Sequence, residues 1–421
     1  MTRHQRRLVR AALCVATMLA SVSMLDACGP IPAPLRIGAV FPLSGPTAND
    51  AHDEYLGAGL AAQMVDASGG VQGRQVTLDV RDVESAGAVQ QAADSLRNDG
   101  VTAVIGAYSS QLSIPLAAAV ARDGLVYWET GAVADQVTGQ GHPLVFRVGA
   151  SGSDLGGNSG RFIVQQIAPR LHRSASQIRA FLVTVNDAYG HSVADSARAA
   201  LIAGGATVAG ESVYDPYAPA WRPAIAAVAA AKPDILVLSS HMNDGIAFRR
   251  AFLAAHLYVA AFFGTTMAQC YANFGTVLGP DAVGVFASDR PEHDFNPSAL
   301  DATARSVYDR FAIAWRQQTG RAPSEEGIAG FSSAWALFAA AMPRASSAAP
   351  ADIAAAARSL NLPSGSLPNG AGILFSKRPS ELGQNLRAAS VIWQWQAARH
   401  SVVVWPAVYA TGSIKMVPLP A

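Results

Sequence analysis

Charge is scarce in this 421-residue chain. Only 14% of its residues are charged, and the formal net charge is +1. A nucleic-acid partner calls for a phosphate-neutralising patch, so near-neutrality argues against one. Cysteine is scarcer still: Cys14, Cys28 and Cys270 are the only three. Two fall within the first thirty residues, which excludes a disulfide framework and a cysteine-rich zinc site in the body of the chain. The nine histidines show neither H-x-H nor H-E-x-x-H spacing. No metal or cofactor is expected. Beyond the N-terminal segment no apolar run reaches the roughly 18 residues that a spanning helix needs. Low-complexity tracts are also missing, which excludes a largely disordered chain.

What the N-terminus does carry is a leader. Arg3, Arg6, Arg7 and Arg10 precede a small-apolar stretch, Ala11–Met24. That order is the form of a secretory signal. It ends in Leu25-Asp26-Ala27-Cys28-Gly29, which resembles a bacterial lipobox with Cys28 as the lipidated first residue. The alternative is an ordinary secretory peptide with an incidental cysteine. The expectation is a signal over 1–27, a proline-rich tether over 28–35 and a protein outside the cytoplasm, anchored to the cell membrane by its lipid.

The body alternates strand and helix patterns. Arg36–Phe41, Val76–Arg81, Val101–Ile105 and Leu125–Trp128 are short apolar runs separated by helical stretches. That alternation implies a parallel sheet covered on both faces. It restarts at Arg179–Val185 and continues through Asp234–Leu238, Ala260–Phe263 and Val283–Ala287. Two long helices follow, with aromatics at helical spacing that read as core. A terminal hairpin over 388–404 closes the chain. The expectation is α/β: two similar doubly wound, Rossmann-like lobes with parallel sheets, joined by three crossovers around a ligand cleft. Lobe 1 would take 36–148 plus 288–365, and lobe 2 would take 149–287 plus 366–421. Such lobes can hinge. The third crossover is placed at the Gly/Pro/Ser-rich stretch 362–372.

The stretch Val101–Asp135 is the centre of the functional reading. Its two loops leave the carboxyl ends of neighbouring strands, where open α/β sheets bind ligands. Ser109 and Ser110 stand where a helix begins. Their hydroxyls and the unpaired first-turn N–H groups suit a carboxylate. The competing reading is a simple helix cap.

Two apparent motifs are set aside. Gly57-Ala58-Gly59 lies inside a helix, not between strand and helix. Gly190-His191-Ser192 lacks the last glycine of a nucleophile elbow and has no partnering acid and histidine. No enzyme activity is expected.

The lipobox, RIGAVFPLSGP, GGVQGRQVTLDVRD, VIGAYSS before a helix and NDAYG at a strand exit together resemble the type I periplasmic-binding-protein family. The resemblance is to the leucine/isoleucine/valine-binding branch that serves ABC importers, and it covers the whole mature chain. It implies a receptor that carries a small polar ligand to membrane permease subunits, and the small, similar lobes predict a monomer. The ligand would be a branched-chain or other amino acid, or a related amide or carboxylate. A sensor of the same fold, without transport, is the alternative. The resemblance implies that Ser109 or Ser110 holds the ligand carboxylate. The next loop would contribute Glu129, Thr130, Gly131, Ala132 and Val133, and the second lobe Tyr189 and His241. One departure stands out. Thr266 occupies the place where amino-acid binders carry an acid for the ligand ammonium. An ammonium buried without a counter-charge is costly. Either Glu129 substitutes for that acid or the ligand has no ammonium, and Glu129 has a second possible role as a structural carboxylate.

Overall fold

The computed structural model describes residues 32–291 and 294–416. The leader and Cys28 lie outside the described residues. No helix among the described residues is long and apolar enough to cross a membrane.

Two sheets organise the chain. The first holds β1 (Leu35–Phe41), β2 (Val76–Asp82), β3 (Ala103–Gly106), β4 (Val126–Glu129) and β5 (Val145–Arg147), in the order β2-β1-β3-β4-β5. Every pairing in it is parallel. The second holds β6 (Arg179–Val185), β7 (Thr207–Tyr214), β8 (Ile235–Ser239), β9 (Ala261–Thr265), β10 (Phe286–Asp289), β11 (Val391–Ala397) and β12 (His400–Trp405), in the order β12-β11-β10-β9-β8-β6-β7. Its pairings are parallel up to β10 and antiparallel through the terminal hairpin. The chain therefore builds two lobes, each an open α/β sheet.

The lobe 1 core forms by close helix packing. Helix Ala48–Asp66 crosses helix Glu325–Trp335 through glycines: a Cβ at Gly57 would sit 2.1 Å from the Gly327 carbonyl oxygen. The expected aromatic stripe packs inward, with Phe311 stacked on Phe331 at 4.2 Å. Trp128 is fully buried, and its indole donates to the Ser333 carbonyl at 2.8 Å.

The boundary at 365/366 is corrected. Residues 362–385 stay with lobe 1. Leu362 bridges Ile373, Gln384 bridges Arg147 beside β5, and Phe375 packs on Phe146 and Trp128 with centroids 5.0 and 5.5 Å apart. The crossing to lobe 2 falls between Asn385 and Val391, where β11 joins β10. The glycines and prolines of 362–372 shape tight turns, and turn chemistry by itself does not mark a linker.

Candidate functional site

The carboxyl ends of both sheets face a cleft of about 650 Å³ between the lobes. Lobe 1 lines it with Ser109, Ser110, Gly131 and Val133, and lobe 2 with Tyr189, His241 and Thr266. Seven of the ten residues expected at the ligand are thus brought together from strand ends far apart in sequence, and Glu129, Thr130 and Ala132 are not among those lining the cleft.

Ser109 precedes helix Ser110–Arg122 with extended backbone (φ −83°, ψ 132°), yet its side chain makes no capping hydrogen bond. The first turn of that helix offers N–H groups without intrahelical partners, and the helix dipole adds positive potential there. Ser110 accepts from the Ala134 N–H at 3.1 Å and so braces the next loop. The capping role weighed for these serines is filled by neither. Ser109 lines the cleft, and Ser110 spends its acceptor on the fold.

On the opposite wall Asp187 does two jobs. One oxygen accepts from the Gly190 N–H at 2.7 Å and starts helix Ala188–Ala203, and the other meets His241 Nε2 at 2.6 Å. His241 in turn packs against the Tyr189 ring, with centroids 5.3 Å apart. The Tyr189 hydroxyl donates to the Thr265 carbonyl at 2.8 Å. That fixes the ring at the end of β9 and β8. Burial and the nearby Asp187 push the Tyr189 hydroxyl pKa well up, so it stays protonated. Thr266 and Met267 follow β9 with φ of 56° and 57°, and Tyr108 across the cleft has φ 66°. A β-branched residue in that region is a strained outlier, and such backbone gathers at functional sites.

Two expected contacts are corrected. Glu129 does not reach the cleft. Its Oε1 accepts from the N–H groups of Thr130, Gly131 and Ala132 at 2.9, 2.8 and 2.7 Å, and its Oε2 accepts from the Tyr127 hydroxyl at 2.7 Å. Side chains alternate along a strand, so Glu129 shares its face with Tyr127 and turns away from Trp128. It is fully buried; desolvation raises its pKa against the pull of these hydrogen bonds. Thr130 is buried beside it and donates to Glu54. Neither lines the cleft. Ser192 is also occupied: it donates to the Ala188 carbonyl at 2.8 Å and accepts from the Asp135 N–H at 3.1 Å across the lobes.

The cleft holds groups that the sequence reading missed. Asp50, from the first turn of helix Ala48–Asp66, accepts from the Tyr108 hydroxyl at 3.1 Å. Burial raises its pKa, against the pull of that hydrogen bond. Asp244 accepts from Tyr214 at 3.2 Å. Arg290, just past β10, donates to the Gly131 carbonyl at 2.8 Å and pairs with Glu325 and Asp289. Burial pulls the Arg290 pKa down, but Glu325, Asp289 and Glu54 outweigh it and the net shift is upward. Tyr217 stands at the mouth, 84% exposed.

Two α/β lobes with convergent polar groups in the gap between them define a protein that clasps a small solute. The match of residues 34–392 to the periplasmic binding protein family shows that the chain belongs to that family, in its leucine/isoleucine/valine-binding type. It is a family of solute-binding proteins found outside the cytoplasm. Among curated relatives, the chain is 28% identical to Leu/Ile/Val-binding protein homolog 8 of Brucella abortus (strain 2308) over 381 residues, covering 89% of this chain and 91% of the relative. Among solved structures it resembles the leucine-binding protein LivK of Thermotoga maritima, with TM-score 0.73, 16% identity and coverage of 88% and 98%. It also resembles a solute-binding protein of R. palustris in complex with benzoate, with TM-score 0.69, 19% identity and coverage of 91% and 99%.

Proposed function

We propose that this chain is the solute receptor of an ABC importer, which holds an amino acid or a related small polar solute between its lobes. The unspent Ser109 hydroxyl at a helix N-terminus, facing Tyr189 and His241 across the cleft, carries this reading. A carboxylate seated at Ser109 gains a charge-assisted hydrogen bond and a favourable dipole. Hinge closure then brings the lobe 2 aromatics onto the rest of the solute. The closed monomer delivers it to permease subunits in the membrane, and lipid on Cys28 keeps the receptor there. The curated relatives' names and the solutes in the neighbouring structures support a carboxylate-bearing ligand.

Thermal-shift screening of the chain from Gly29 onward against amino acids, amides and carboxylates tests the reading. A solute that binds only the folded state raises the melting temperature by mass action. Ser109→Ala is expected to weaken the hit about 10- to 100-fold, the scale of a hydrogen bond to a charged group. Unchanged affinity would remove Ser109 from the site. For the anchor, Cys28→Ser is expected to move the protein from the membrane fraction to the soluble fraction of cells. A wild-type protein already soluble would refute lipidation.

A further inference from the structure

The charge lining the cleft is one-sided. Asp50 and Glu84 line it from lobe 1, and Asp187 and Asp244 from lobe 2. The lining guanidinium, Arg290, is already paired with Glu325 and Asp289 behind the wall. His241 faces Asp187 and offsets it only when protonated. Asp50 is braced by Tyr108, the residue next to Ser109, so lobe 1 sets a carboxylate beside the helix N-terminus that suits an anion. Asp244 is braced by Tyr214 on the other lobe. The walls are also rich in tyrosine: Tyr108, Tyr189, Tyr217 and Tyr271 all border the cleft. Aromatic faces attract organic cations.

Hinge closure has an electrostatic consequence here. It moves two acidic walls toward each other and expels water from between them, which strengthens their repulsion. An amine-free carboxylate adds a further negative charge. A neutral branched-chain zwitterion leaves the excess unmatched. A ligand with a second, distal cation offsets it.

We propose that the cleft is built for a cationic amino acid, whose carboxylate sits at the Ser109 helix end and whose distal amine or guanidinium lies between Asp50 and Asp244 among the tyrosine rings. This rests on reading the cleft as the solute site and names the solute class.

A charge series on one carbon skeleton tests it. Hexanoate, norleucine and lysine share six carbons and carry net charges of −1, 0 and +1. Titration calorimetry on the chain from Gly29 onward, with ornithine and arginine added, reads the affinities. The best of the three cationic amino acids is expected to bind at least tenfold tighter than norleucine, and norleucine tighter than hexanoate. The preference should shrink as salt screens the walls. Asp50→Asn and Asp244→Asn should each narrow the lysine-to-norleucine ratio at least threefold, with the melting temperature of the ligand-free variants reporting any folding defect. Equal affinities, a reversed order, or a ratio untouched by both variants overturns the proposal while leaving a solute receptor in place. Failure of the series and of every solute in a broad screen overturns the receptor reading itself.

Discussion

Glu129→Ala is expected to destabilise lobe 1 by about 4 kcal/mol or more, while Glu129→Gln costs little. The carboxylate sits at zero exposure and accepts four hydrogen bonds. Alanine strands the N–H groups of Thr130, Gly131 and Ala132 without water. Each buried unsatisfied donor costs about 1–3 kcal/mol. Tyr127 loses less, because its hydroxyl also reaches the Gly106 carbonyl at 2.7 Å. Glutamine keeps a carbonyl oxygen for the three N–H groups, and its amide can donate to the Tyr127 oxygen once that hydroxyl turns to Gly106. At 2–4 °C per kcal/mol for a domain of this size, alanine should lower the melting temperature by roughly 8–16 °C. Because the side chain points away from the cleft, solute affinity of Glu129→Gln should match wild type. Loss of binding in Glu129→Gln with an unchanged melting temperature would return this carboxylate to the site.

That side chain also marks where sequence reasoning runs out. Strand ends and their loops were legible because apolar runs broken by Gly, Ser and Asp recur along the chain. Ser109 followed from its place between a strand and a helix. The direction of Glu129 turns on one residue of strand phase. Val126–Glu129 is apolar on both faces except at its last position, so periodicity alone could not set the phase. The burial of Trp128 against Ser333 settles it, and that contact spans 205 residues. Asp50, Asp244 and Arg290 were missed for a related reason. Two of them sit in first turns of helices, where acids are ordinary partners of the dipole. What sets them apart is the cleft they share, which only the tertiary fold assembles.

The protein is also expected to melt higher at pH 5 than at pH 8, because lobe 1 buries more glutamates than it neutralises. Glu54, Glu325 and Glu326 are all fully buried around the crossing of helices Ala48–Asp66 and Glu325–Trp335. Arg290 pairs with Glu325 but not with Glu326. Burial pushes Glu54 and Glu326 well above their ordinary pKa of 4.5, and raises Glu325 to about 7 despite the opposing pull of Arg290. A carboxyl raised on folding holds its proton more tightly in the native state. Its stabilising contribution is fully present below the unfolded pKa and is lost as pH rises through the folded one. For Glu325 the window runs from 4.5 to about 7. Glu326→Gln removes a proton-dependent group and should raise the melting temperature at pH 8 while changing it little at pH 5. A melting temperature that climbs with pH would mean that these glutamates are ionised in place. The floor beneath Asp50 would then be negative as well, and the pull on a cationic solute stronger than the cleft lining alone provides.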